Sequence, residues 1–351
     1  METAIQTKTR SINYVHKPGG SCMVTALSGV CRCNGLNFDN EQVIGLGSGL
    51  QFAFGYNPAQ KNYRMEFISS QLFYSLLCNT GTFGEEFEIV DTSECMARMF
   101  ELLDAGMPVP VMLDPVYCEG LMKRTPQEFV PYIPSHMVVV VGYDPEEGKV
   151  FLYDSPQFNL VAMNMDDFAE ARSSGPTLPA NRHYEFYFPD VVYPYDQSVR
   201  LAIDKVVQVF KYSEKHLAHK SGFQAIKRFA PNVQNWRNIF TDAEIIDNAR
   251  LFIMAVTNGH ATKGAFRTQY SMFLEEASGR MGGAGFYKSA EAYRYLGKLW
   301  IEFQKQLVLL TRNPGAHEVW RENSDFYQLL NEISEKEIAA IELLENDLLK
   351  H

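Results

Sequence analysis

Cys22 follows the segment His16-Lys17-Pro18-Gly19-Gly20-Ser21. It opens a run in which Met23, Ala26, Leu27 and Val30 recur at helical spacing, ended by Asn34-Gly35. A thiol in the first turn of a helix feels the positive end of the dipole and N–H groups without intrahelical partners, and both favour the thiolate. The two glycines let the backbone approach a ligand closely. His136 opens the most apolar stretch of the chain, HMVVVVGYD (136–144), and Asp154 stands near the end of KVFLYDS (149–155). With only PEEG (145–148) between them, these stretches form a β-hairpin, which brings residues 136 and 154 to the same end. A carboxylate there can fix the tautomer of an imidazole and favour its charged form. Cys22, His136 and Asp154 then make a set for nucleophilic catalysis. Plainer alternatives stand beside each. Cys22 can be a small buried hydrophobe, His136 a surface or capping residue, and Asp154 a turn-forming residue before Ser155-Pro156.

The elements that must position these groups mix strand and helix in the first half. Residues 87–91 and 108–113 read as strands, 94–105 as a helix capped by Thr92-Ser93, and 183–188 as a last strand. Character changes at the proline- and tyrosine-rich linker 189–195. Helical periodicity then dominates, over about 197–212, 218–228, 241–257, 265–278, 286–312 and 318–349. The division expected is a catalytic domain over 1–192 and a helical domain over 193–351, natural for 351 residues. A 46% hydrophobic content suffices for a real core, and a net charge of −10 argues against a whole-protein nucleic-acid footprint. No apolar run of membrane-spanning length and no secretory signal is present, so the expectation is a cytoplasmic protein. Six cysteines (Cys22, Cys31, Cys33, Cys78, Cys95 and Cys118) make neither a disulfide framework nor a metal set, because Cys31-x-Cys33 has no second pair. No metal and no resident cofactor are expected.

Cys, a long gap, His, then an acidic or amide residue is the papain-like order. In that fold a side-chain donor, normally Gln, stands six residues before the Cys and helps bind the oxyanion. Here that position is His16, which can donate the same bond or position substrate. The absence of Gln puts ordinary peptidase activity in doubt. The pattern His16…Gly20-Ser21-Cys22…Thr25-Ala26-Leu27, then Gly45-Leu46-Gly47-Ser48-Gly49-Leu50-Gln51-Phe52, then His136 through Gly142-Tyr143-Asp144, resembles the butirosin biosynthesis protein H family. GAFRTQYSMFLEEAS (264–278) and AEAYRYLGKLW (290–300) are similar to that family's helical second domain. The resemblance implies an α+β chain with a papain-like N-terminal domain and an all-α C-terminal domain. It implies acyl transfer rather than proteolysis: an acyl or peptidyl group passes from a carrier-protein thioester, on its phosphopantetheine arm, to a small amine, forming an amide in antibiotic biosynthesis. A relative that builds polythioamides such as closthioamide is similar in kind. Cys22 is then the nucleophile, His136 the base and Asp154 its orienter. The helical domain is expected to help keep water from the acyl-enzyme.

The segment GLGSGLQFAFG (45–55) lacks the frame of a dinucleotide site and is expected to be a loop shaping the acyl pocket, with Gly47, Gly49, Phe52 and Phe54. Arg267 and Tyr270 share a helical face and, with Glu275-Glu276, are candidate contacts to the amine; interdomain ion pairs are the alternative. Segment 197–240 carries eight Lys/Arg against Asp204 and Glu214, and 314–351 carries three against nine acidic residues. Both can be solvated helix faces. If the donor rides on an acidic carrier protein, Lys211, Lys215 and Lys220 become candidates for docking it. The apolar stripes of 286–312 and 318–349 leave packing within the domain or a homodimer open. Two other functions remain open: a cysteine peptidase or amidase using the same triad, and a catalytically idle binding scaffold.

Overall fold

Four consecutive valines, Val138–Val141, are buried, as expected of a strand covered on both faces. They lie at the centre of the first of two compact units in this computed structural model, which describes residues 10–114, 136–155, 157–173, 181–187, 192–212, 220–257, 264–282 and 285–350. In chain order the first elements are β1 (Arg10–Ser11), α1 (Cys22–Cys33), α2 (Asn40–Leu46), β2 (Leu50–Asn57), β3 (Asn62–Ile68) and α3 (Leu72–Thr80). There follow β4 (Phe83–Glu88), α4 (Thr92–Asp104), β5 (Val109–Leu113), β6 (His136–Asp144), β7 (Lys149–Asp154), β8 (Val161–Asn164), α5 (Met165–Ser173) and β9 (Arg182–Tyr187). The remainder comprises α6 (Tyr195–Tyr212), β10 (Lys220–Ser221), α7 (Gly222–Gln234), α8 (Trp236–Ile239), α9 (Asp242–Thr257), α10 (Arg267–Arg280), α11 (Tyr287–Arg312) and α12 (Asp325–Leu349). The chain is thus mixed α+β, and none of its described helices is long and apolar enough to cross a membrane.

The first unit comprises Met1–Asn40 with Phe83–Pro189. Its sheet runs β4-β9-β5-β6-β7-β8, with β1 also paired to β6, and the described pairings are antiparallel. Val138, Val140 and Leu152 join Met99, Leu102 and Leu103 of α4 and Phe168 and Ala171 of α5 in one core. Met137 and Val139, on the alternate parity, border Cys22 and Ala26 of α1. A sheet with helices against both faces follows from a strand apolar at every position.

The second unit comprises Glu41–Thr82 with Asp190–His351. Residues 41–82 thus group with the C-terminal helices rather than with the rest of the first half. This unit is not all-α: β10-β2-β3 form an antiparallel three-stranded sheet. Phe52 of β2 packs on Phe67, Phe229 and Trp300, and Phe54 on Tyr63, Phe229 and Phe252. Helices over 197–212, 241–257 and 286–312 lie close to their expected bounds. The last helix starts at Asp325 rather than 318, where Ser324 caps it by accepting from the Tyr327 N–H at 3.2 Å.

Candidate active site

The hairpin of β6 and β7 sets the site through an irregularity. Asp144 pairs with Lys149, Tyr143 with Val150 and Gly142 with Phe151; beyond Val141 the register shifts, so that Val140 faces Leu152 and Val138 faces Asp154. Val141 is the extra residue of a β-bulge, and its carbonyl accepts the Ile12 N–H at 2.8 Å instead. Without that shift the tight turn would set Ser155, not Asp154, opposite Val138. A one-residue slip exchanges the faces of a strand. The bulge therefore puts His136 and Asp154 on one face, as diagonal neighbours. His136 Nε2 donates to Asp154 Oδ1 at 2.6 Å, and the same oxygen accepts the Ser155 N–H at 2.6 Å. Asp154 is 1% exposed and His136 8%.

Cys22 is the first residue of α1, partly exposed, with Ser21 at the N-cap in an extended conformation. The loop before it is tied to the hairpin by Gly19 N–H donating to the Ser155 carbonyl at 2.8 Å. A Cβ at Gly19 would come within 2.4 Å of Thr25 Oγ1 and 2.2 Å of Asn40 Nδ2, so a side chain there would have to displace those side-chain ends. Because His136 Nε2 faces Asp154, the other ring nitrogen is left for the Cys22 thiol, with which the ring is hydrogen-bonded. Burial is the largest influence on Cys22 and raises its pKa. The His136 hydrogen bond and charge, then the N–H groups of Met137 and Met23, outweigh it and pull the thiol below its ordinary value of 9.0. Burial is also the largest influence on His136 and opposes its charge; the hydrogen bonds to Asp154 and Cys22, and the charges of both, raise the imidazolium to about 10. Both shifts favour a thiolate–imidazolium pair. By contrast, burial pushes the Cys31 thiol up to about 12 and raises that of Cys95, as expected of inert thiols. Cys118 lies outside the described residues.

His16 borders the same narrow crevice as Cys22, together with Tyr14, Thr25, Ala26, Met137, Val139, Tyr153 and Ser155. Its ring stacks on Tyr153 with centroids 4.7 Å apart, and its Nε2 lies 2.8 Å from the Gln157 carbonyl. A carbonyl only accepts, so Nε2 carries the hydrogen. Burial, the largest influence, holds His16 below its ordinary 6.5 despite the carbonyls of Gln157 and Asp154. A neutral ring in this tautomer has no second hydrogen for an oxyanion. The sequence missed Tyr153 and Gln157 as partners of His16, although Tyr153 sits opposite Val139 and so shares its face.

The other expected site residues lie in the second unit, engaged in structure. Gly47 and Gly49 close the end of α2 onto α3: a Cβ at Gly47 would meet the Val43 carbonyl at 2.6 Å, and one at Gly49 the Leu72 side chain at 2.7 Å. Residues 50–55 are strand rather than loop, and Phe52 is 1% exposed within an aromatic core. Arg267 is fully buried. Its Nε and Nη2 donate to Glu337 at 2.7 and 3.1 Å, and its Nη1 to the Ala265 carbonyl at 2.8 Å. Tyr270 is buried too, so neither residue presents a surface for an amine. Lys211 donates to Glu345 at 2.7 Å. Lys215 lies outside the described residues, as does the side chain of Lys220. Among the described residues no His, Cys, Asp and Glu cluster has the makings of a metal site.

The family model for the butirosin biosynthesis protein H N-terminal region matches residues 21–155, from the residue before Cys22 to the residue after Asp154. A model for a domain of unknown function, DUF4872, matches residues 166–344. No individual curated protein matches the chain. The chain therefore belongs to the DUF4872 family over residues 166–344, and its N-terminal region, 21–155, is butirosin biosynthesis protein H-like.

Proposed function

We propose that the protein is a cysteine-dependent N-acyltransferase that forms an amide in antibiotic biosynthesis, with a papain-like first unit. The family's name points to the biosynthetic role. One observation carries the chemistry: a helix-terminal thiol whose pKa is drawn below 9.0 by an imidazole that a buried carboxylate holds at 2.6 Å. The donor is an acyl or peptidyl thioester delivered by a carrier protein on its phosphopantetheine arm, and the acceptor is a small amine.

In the first half-reaction the Cys22 thiolate attacks the thioester carbonyl. A C–S bond forms, the donor's C–S bond breaks, and His136 gives its proton to the departing thiol. Sulfur replaces sulfur, so the exchange is nearly isoenergetic, and the proton from His136 keeps the departing thiolate from attacking back. Charge developing on the carbonyl oxygen meets backbone N–H groups in the first turn of α1, which have no intrahelical partners. Neutral His136 then takes a proton from the attacking amine, the C–N bond forms, and Cys22 leaves as the thiolate. The resting ion pair is restored, with Asp154 stabilising the imidazolium in each cycle.

The excess of Lys/Arg in segment 197–240 supports docking of an acidic carrier protein, with Lys211 also paired to Glu345 at 2.7 Å. Reversing the charge of Lys211 and Lys215 together is expected to raise KM for a carrier-bound donor and to spare a small thioester; equal effects on both donors would count against docking there. The function itself is tested by incubating the protein with an acyl-N-acetylcysteamine thioester, with and without butylamine. Amide formed only with Cys22 intact is the expected product. Free acid at the same rate with or without amine would make the protein a hydrolase.

A further inference from the structure

We propose that His16 positions the acceptor amine by accepting one of its N–H hydrogens on Nδ1, rather than donating a hydrogen bond to the oxyanion. This rests on the acyl-transfer reading and assigns a residue to its second half-reaction.

Three features of the geometry carry it. The Gln157 carbonyl fixes the ring hydrogen on Nε2 at 2.8 Å, and the Tyr153 stack fixes the plane of the ring. Nδ1 is therefore a lone-pair acceptor, and it is buried without a hydrogen-bond partner. Buried acceptors are nearly always satisfied, so an orphan one beside a nucleophile invites a donor from a ligand. Finally, His16 and Cys22 border one crevice. The low basicity of the half-buried ring keeps the lone pair free of a proton at neutral pH.

The hydrogen balance of the reaction suits two different imidazoles. A primary amine brings a lone pair and two N–H hydrogens. One hydrogen leaves to His136 as the C–N bond forms and the Cys22 C–S bond breaks. The other stays on nitrogen in the amide product, and this is the one His16 holds. Anchoring it turns the amine lone pair toward the acyl carbon.

The test separates the two half-reactions. Acylation is followed as the pre-steady-state loss of thioester absorbance, and deacylation as its butylamine-dependent steady-state rate. His16→Leu removes the acceptor; His16→Asn can present an oxygen near the place of Nδ1. The expected result for His16→Leu is deacylation slowed about tenfold more than acylation, with a raised KM for butylamine, as for loss of one hydrogen bond. His16→Asn is expected to recover most of that loss. Unchanged iodoacetamide alkylation of Cys22 reports that both variants keep the fold. Equal slowing of the two half-reactions would make His16 an oxyanion donor and overturn the proposal, as would no change in either. Absence of any acylation burst in the wild-type protein would instead sink the acyl-transfer reading, and His16's role with it.

Discussion

Replacing Asp154 by Asn keeps the shape of the site and removes one charge. The amide oxygen can still accept from His136 Nε2 and from the Ser155 N–H, which both use Oδ1. What is lost is charge assistance to the imidazolium. Such hydrogen bonds contribute about 1.5–3 kcal/mol, and one pKa unit corresponds to about 1.36 kcal/mol. His136, raised to about 10, should therefore fall by roughly one to two units. Acylation needs the imidazolium to protonate the departing thiol, so the rate declines as pH rises through the His136 pKa. The basic limb of the acylation rate should move from about 10 to roughly 8–9 in Asp154→Asn. The new amide nitrogen also enters a position where Asp154 Oδ2 is buried without a hydrogen-bond partner. A buried unmet donor costs about 1–3 kcal/mol, readable as a lower urea midpoint. A basic limb that stays near 10 in Asp154→Asn would refute the assignment of Asp154 as the group that sustains the charge on His136.

Three further outcomes follow from the structure. The wild-type acylation rate should be bell-shaped in pH. It falls on the acid side as Cys22 is protonated at a pKa below 9.0, and on the basic side near 10; a single ascending limb would contradict the ion pair. Arg267→Met leaves the fully buried Glu337 carboxylate without its cation and should cost about 3–5 kcal/mol in chemical denaturation, whereas a loss under about 1 kcal/mol would show the pair to be expendable. Gly47→Ala forces a Cβ to 2.6 Å from the Val43 carbonyl and should destabilise by about 1–3 kcal/mol, while Gly279→Ala, whose nearest neighbour is 4.0 Å away, should be neutral or stabilising. Equal effects of the two glycine substitutions would contradict the close packing at Gly47.

The grouping of Cys22, His136 and Asp154 was legible because its signals are local. A glycine pair, a thiol and a helical stripe mark the start of α1, and a four-residue turn brings the ends of two strands together. The bulge that aligns them was not legible: Val141 is one of four similar valines, and only the added pairing of Val141 with Ile12 distinguishes it. The glycines of 45–49 were misjudged for a related reason. Glycine permits close approach to a ligand or to another helix with the same sequence signature, and here the neighbours are Val43, Ile44 and Leu72. Arg267 looked available because a charged residue is seldom fully buried without a partner, and its partner Glu337 lies 70 residues away. The grouping of 41–82 with the C-terminal helices is likewise long-range. Tyr63 N–H donates to Asn248 at 2.8 Å and Ser48 Oγ to the Ala202 carbonyl at 3.0 Å, contacts no local pattern announces.

The claim on which the rest depends is that Cys22 is the sulfur that carries the acyl group. Intact-mass and peptide-level mass spectrometry after mixing with an acyl-N-acetylcysteamine thioester, without amine, tests it directly. The account predicts a single acyl adduct on the peptide bearing Cys22, absent from Cys22→Ala and discharged by butylamine. An adduct that persists in Cys22→Ala, or none in the wild-type protein, would contradict it.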